Sequence, residues 1–109
     1  MALAVVSSGT QTATLTTEHS LDVDTTSKTY VLVVDTATLV NGETLTLRLK
    51  TKCLSAGTQR LAYEAIYQHI QAEPMKYSVP VPANIEIEAT LRQDGGTGRA
   101  FPWALLSID

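Results

Sequence analysis

Apolar and polar residues alternate with a period of two along much of this chain, and that period predicts strands rather than helices. The clearest run is Glu43 to Cys53. Leu45, Leu47, Leu49, Thr51 and Cys53 take one face, and Thr44, Thr46, Arg48, Lys50 and Lys52 take the other. Ile85 to Arg92 alternates as cleanly, with Ile85, Ile87, Ala89 and Leu91 inward and Glu86, Glu88, Thr90 and Arg92 outward. Thr10, Thr12, Thr14 and Thr16 form one face of a further predicted strand, where β-branched residues suit a pleated surface. Thr29 to Val34 is apolar on both faces, which predicts a strand covered on both sides or central to a sandwich. Between these runs, Glu18 to Ser27 reads as polar and turn-rich, with Leu21 and Val23 as anchors.

Gln59 to Ala72 carries two signals. Its composition favours helix. Leu61, Tyr63, Ala65, Tyr67 and His69 nevertheless alternate against Ala62, Glu64, Ile66, Gln68 and Ile70, and the strand neighbours decide for a long strand. Asp35 to Val40 predicts one helical turn with Asp35 as N-cap. Asn41-Gly42 is a turn, and Ser55 to Thr58 a loop. Tyr77 to Pro82 holds two prolines, so it is expected to be extended at an edge or on the surface.

The closing hairpin departs from the rest. Its loop, Asp94-Gly95-Gly96-Thr97-Gly98-Arg99, lacks the Lys-Ser/Thr and the following helix of a phosphate cradle. Its glycines are read as supplying positive φ. In the next strand Phe101, Trp103 and Leu105 face one way, and Ala100, Pro102, Ala104, Leu106 and Ile108 the other. Two apolar faces need two covers, and an internal proline argues for an edge position. The expectation is an edge strand with one face in the core and the other against another chain. The predicted contact residues are Tyr77, Val79, Pro80 and Pro82 in the extended segment, and Arg99, Ala100, Pro102, Trp103 and Leu106 in the hairpin.

Seven or eight short strands without a helix predict a single all-β domain over residues 1–109. The expected architecture is a two-sheet antiparallel β-sandwich of jelly-roll or immunoglobulin-like type. The 109 residues suffice for one core. Charged residues make up 17%, below the usual quarter, which suits a surface that is buried against partners. The net charge of -3 and scattered Lys and Arg predict no nucleic-acid partner. No apolar run is long enough to predict a membrane span, and the apolar start at Met1 to Val6 is too short and unbasic for a signal peptide. The single cysteine, Cys53, permits no internal disulfide; it is expected to be a buried thiol in a chain made in a reducing cytosol.

Candidate chemistry is sparse. His19 and His69 do not form a metal-ligand spacing, and Asp22-Val23-Asp24 lacks the rest of a calcium loop. Glu86 and Glu88, about 7 Å apart on an ideal strand, are expected to solvate or guard an edge rather than catalyse. Arg99 is expected to pair with Glu86, Glu88 or a partner chain. No catalytic residue, metal site or cofactor is predicted.

Several stretches in order carry a resemblance: Ser8-Gly9-Thr10-Gln11, Glu18-His19-Ser20-Leu21, Tyr30 to Asp35, Asn41-Gly42-Glu43, Gln71-Ala72-Glu73-Pro74, Ser78 to Pro82, Thr90-Leu91-Arg92-Gln93, and Gly96-Thr97-Gly98-Arg99 to Trp103. Together they resemble a group of small virion structural proteins of tailed bacteriophages. The resemblance implies a non-enzymatic virion component made in the bacterial cytoplasm. A capsid decoration (cement) protein is the leading expectation, homo-oligomeric and bound across major capsid subunits. A tail or head–tail accessory protein is its sister. A carbohydrate-binding or adhesin module, stacking sugars on Tyr63, Tyr67 and Trp103, is the alternative from another class.

Overall fold

In a computed structural model, which describes residues 3–108, the chain forms nine strands and, among the described residues, no helix. They are β1 (Leu3–Thr12), β2 (Glu18–Asp24), β3 (Lys28–Asp35), β4 (Thr44–Thr51), β5 (Arg60–Gln68), β6 (Met75–Tyr77), β7 (Val81–Ala83), β8 (Ile87–Asp94) and β9 (Ala100–Ile108). The pairing is close to a mirror about Ser55 and Ala56. Leu3 lies opposite Ile108, Asp24 opposite Ile87, Lys28 opposite Ala83, and Thr51 opposite Arg60. The chain is thus one long antiparallel ribbon whose tip is the 52–59 loop.

Wrapping that ribbon adds the pairings β3–β9 and β4–β8 and yields two sheets. One has the order β1-β9-β3-β6, with β7 also on β3; the other has the order β2-β8-β4-β5. Alternate segments of the ribbon fall in alternate sheets, which is the jelly-roll form of the expected sandwich. The inner faces meet in one buried cluster containing Tyr30, Leu32, Leu45, Leu49, Ile87, Leu91, Phe101 and Leu105. Met1 and Ala2 of the apolar N-terminal run lie outside the described residues.

The two cleanest alternations hold. Leu45, Leu47 and Leu49 of β4 and Ile87, Ala89 and Leu91 of β8 are all buried. Residues 60–68 form a strand, as alternation required, with Tyr63, Ala65 and Tyr67 half-buried. A bulge at Ala62 then turns Leu61 outward, opposite Lys50. The extended proline segment becomes β6 and β7 at the edge of the first sheet.

Several expectations are corrected. Glu18 to Asp24 is a strand: a bulge at Leu21 breaks the alternation that would have marked it. The Thr alternation overshoots, because β1 ends at Thr12 and Thr16 adopts φ 63° in a turn. Asp35 caps no helical turn; its carboxylate accepts the Ala37 N–H within a non-helical turn. Cys53 lies beyond the end of β4 and is exposed, since the ribbon is already turning there.

The largest correction concerns β9, which lies between β1 and β3 and not at an edge. Its proline sits where a central strand can tolerate one. The Arg99 carbonyl accepts from Ala13 on the β1 side, and the Ala100 carbonyl accepts from Thr38 on the other. Alternation then turns the Pro102 nitrogen toward β3. The ladder with β3 runs only as far as Val34 and Trp103, one step short of Pro102. The missing N–H therefore falls where the ladder stops. With Leu105 fully buried and Leu106 on the opposite face, Leu105→Ala should cost about 3 kcal/mol and Leu106→Ala under about 1. Urea denaturation of the two variants measures the difference.

Candidate assembly interface

The two sheets treat their outer faces differently. On the β2-β8-β4-β5 sheet, charges face solvent and pair with each other. Glu18 Oε1 and Oε2 take Arg48 at 2.9 Å and Lys50 at 2.7 Å, Arg48 also holds Glu64 at 2.7 Å, and Lys52 lies 3.5 Å from Glu86. The Thr90 hydroxyl donates to Glu18 at 2.6 Å. Burial alone would raise the Glu18 carboxyl, but Lys50, Thr90 and Arg48 outweigh it and hold its pKa below the usual value. β8 is central, so Glu86 and Glu88 guard no edge: Glu86 accepts from Gln59 and pairs with Lys52, and Glu88 lies opposite Lys50.

The outer face of the β1-β9-β3-β6 sheet has almost no charge. Read across the register, one row is Leu3, Ile108, Thr29 and Pro82. The next is Val5, Leu106 and Val31, and a third is Ser8, Ala104, Val33 and Tyr77. Beyond them lie Thr10 with Pro102, then Met75 with Asp35, the only charged residue in these rows among the described residues. Leu3 is 67% exposed, Val5 63%, Tyr77 60% and Met75 48%. A shallow depression of about 260 Å³ opens where the β3 ladder stops at Pro102, lined by Val33, Asp35, Met75, Pro102, Trp103 and Ala104. Contiguous exposed apolar area of this kind marks a contact surface.

The predicted contact residues divide accordingly. Tyr77, Pro82, Ala100, Pro102 and Leu106 belong to this face by register. Val79 and Pro80 sit in the exposed connection between β6 and β7. Trp103 instead turns inward, half-buried against the core, with its indole 3.6 Å from where a Gly9 side chain would begin. Sequence reasoning missed Leu3, Val5, Val31, Val33, Met75 and Ile108 as members of the patch. The Leu3–Val6 run and the doubly apolar β3 were the available signals.

Arg99 belongs to another arrangement. It pairs not with Glu86 or Glu88 but with Glu43, at 3.0 Å. Glu43 is 1% exposed and also accepts the N–H groups of Val40 and Thr97. Buried Gln93 completes the lock, donating to the Gly95 and Thr97 carbonyls and accepting the Arg99 N–H. Gly95 and Gly96 supply positive φ, as expected for such a loop, and a Cβ on Gly96 would collide with the Glu43 carboxylate. The glycine-rich loop is thus filled by a carboxylate of its own chain. An anion has no place there.

Other candidate residues are also spent on structure. The His19 Nε2 accepts the Thr14 N–H, and the His69 Nδ1 accepts the Gly42 N–H. Asp24 accepts from Thr26 and Tyr30. Among the described residues no group of three His, Cys, Asp or Glu side chains could hold a metal ion. No family model matches the chain, and neither a curated protein nor a solved structure matches it.

Burial would raise the Glu43 carboxyl, but the Val40 and Thr97 N–H groups and Arg99 hold it below its usual 4.5. A carboxyl lowered on folding stabilises the fold above its unfolded value, and that contribution fades as pH falls through the folded value. Glu43→Gln should therefore cost about 1–3 kcal/mol at neutral pH and should make stability less steep in acid below about pH 4.5. Chemical denaturation between pH 3 and pH 7 tests both.

Proposed function

We propose that this chain is a non-enzymatic structural protein of a tailed-bacteriophage virion, a capsid decoration protein that docks through the outer face of the β1-β9-β3-β6 sheet. The observation that carries the docking is the contrast between faces. The same chain lays paired charges along the outer face of one sheet, where Val23, Leu61 and Ile66 are the exposed apolar exceptions, and leaves the other nearly without charge, with Leu3, Val5, Met75 and Tyr77 in solvent. The virion setting rests on the resemblance of the Ser78–Pro82 and Gly96–Trp103 stretches.

The mechanism is burial of apolar surface across boundaries between shell subunits. At ~25 cal/mol per Å² the buried area favours attachment, and ordering costs consume much of it. Attachment at many lattice positions reinforces a shell even when each contact is modest. The face carries a shallow depression rather than a deep cleft, which suits a broad partner surface. The sugar-binding reading has weaker support, because Tyr63, Tyr67 and Trp103 all pack against the core rather than forming an exposed platform.

Purified particles from the genome encoding this chain should contain it in stoichiometric amounts by mass spectrometry. Particles stripped of it should take back the wild-type protein and reject a Leu106→Asp variant that retains the wild-type circular dichroism spectrum. Absence from the particles, or equal uptake of the variant, overturns the reading.

A further inference from the structure

The four free sheet edges are not equally defended. A free edge exposes unpaired N–H and C=O groups, and proteins normally guard it with charge, proline, a bulge or interruption. On β2 the guards are Asp22, Asp24 and a bulge, and on β5 they are Arg60, Glu64 and a bulge. The β6–β7 edge is interrupted at Ser78 to Pro80 and carries Pro82. β1 is the longest strand and holds neither a charged residue nor a proline. Its one bulge, at Val6, leaves Ser7 to Thr12 in unbroken register with β9.

We propose that the free edge of β1 pairs antiparallel with β1 of a second copy of this chain, joining two sheets into one across a two-fold axis. The hydrogen-bond directions allow it. Ala13 donates to Arg99 across the β1–β9 ladder, so alternation directs the N–H groups of Ser8, Thr10 and Thr12 to the free edge. A two-fold axis beside Thr10 sets Thr10 against its own copy and Ser8 against Thr12. Each such pair exchanges two backbone hydrogen bonds. Their side chains, all on the outer face, form the Thr–Thr and Ser–Thr pairs that favour neighbouring strands.

Self-pairing is favoured over another occupant because the edge complements itself. A symmetric contact opposes each side chain to one from the same short set, and a strand without charges meets no like charge there. The overlap is short: Ser8 to Thr12 of each copy make an edge about 17 Å long at ~3.3 Å per residue, on a molecule 19 Å across its shortest axis. That overlap offers roughly 300 Å² per copy, about 600 Å² in all, the size of a weak, transient contact. A reversible dimer is the expected product. β2, on the same rim, keeps its bulge and Asp22, which confines the pairing to one sheet. The outward Ser8, Thr10 and Thr12 then form the seam between the two outer faces, and the Leu3 and Val5 rows of the two copies lie at opposite ends of the joined sheet.

Light scattering across a dilution series should show wild-type monomer giving way to dimer as concentration rises. Hydrogen exchange should show the Ser8, Thr10 and Thr12 amides protected only in the dimer. Ser8→Pro removes an N–H that the monomer does not use, and Thr10→Lys sets two cations directly opposite each other at the axis. Both variants should remain monomeric at concentrations where the wild type is dimeric, with melting temperatures near that of the wild-type monomer. Leu106→Lys, on the face rather than the edge, should still dimerise. A wild type that stays monomeric throughout, or dimers that survive in folded Ser8→Pro or Thr10→Lys, overturns the proposal.

Discussion

The mirror pairing of the ribbon governs what each residue can do here. With Leu3 opposite Ile108 and Thr51 opposite Arg60, the register of every intermediate pair is nearly determined. A slip of one residue would turn a whole strand's apolar set from the core to solvent. Such a slip is therefore costly wherever Leu45, Ile87 or Phe101 must stay buried. The bulges at Val6, Leu21 and Ala62 fit within this constraint because each offsets the mirror by a single residue and antiparallel pairing continues beyond it. Wrapping the ribbon also makes β9 and β8 central. The chain's C-terminal strand is consequently among its best-held elements.

The loops that let the ribbon cross between sheets need their own stabilisation, since they leave the ladders that satisfy backbone groups elsewhere. Glu43 meets that need at one end of the sandwich. Its carboxylate draws together the Val40 turn, the Thr97 loop and the Arg99 guanidinium, while Gln93 holds the same loop from β8. A buried carboxylate is costly unless paired and hydrogen-bonded, and this one has both kinds of partner. His69 holds the same turn through the Gly42 N–H, and His19 does comparable work at the Thr14 turn. Side chains that resembled raw material for catalysis are committed to closing the fold.

How much was legible in the sequence depended on whether alternation survived. β4 and β8 pair with each other without a break and carry strict period-two patterns, so both were visible, including their buried faces. β2 was not, because Leu21 sits at a bulge among polar neighbours and the alternation changes phase there. The strand over 60–68 was readable despite helix-favouring composition, because Tyr63, Ala65 and Tyr67 keep the period. Pro102 misled because a proline's effect depends on which neighbour its nitrogen faces, and that is fixed by pairing with residues about ninety positions away. The doubly apolar character of β9 was legible, as was its division into an inner set with Phe101 and Leu105 and an outer set with Pro102 and Leu106. The partner of Arg99 was not, since a lone Glu43 in a turn gives no signal of burial.

The unevenness of the two outer faces bears on selection as well as on contact. The sheet carrying Glu18, Arg48 and Lys50 demonstrates that this sequence can cover a sheet with polar side chains while keeping strand propensity, and Thr46 and Thr90 do so without charge. Nothing in the geometry of β1, β9 or β3 demands Leu3, Val5, Val31 or Leu106 on the opposite surface, where threonine would satisfy the same backbone. Apolar side chains there add little to the stability of the single chain because they remain partly in water. Their return comes when a second surface removes that water. β1 joins the two features, since its outward residues belong both to the apolar face and to the undefended edge. A contact along that edge therefore enlarges the face, and the two surfaces act together rather than in competition.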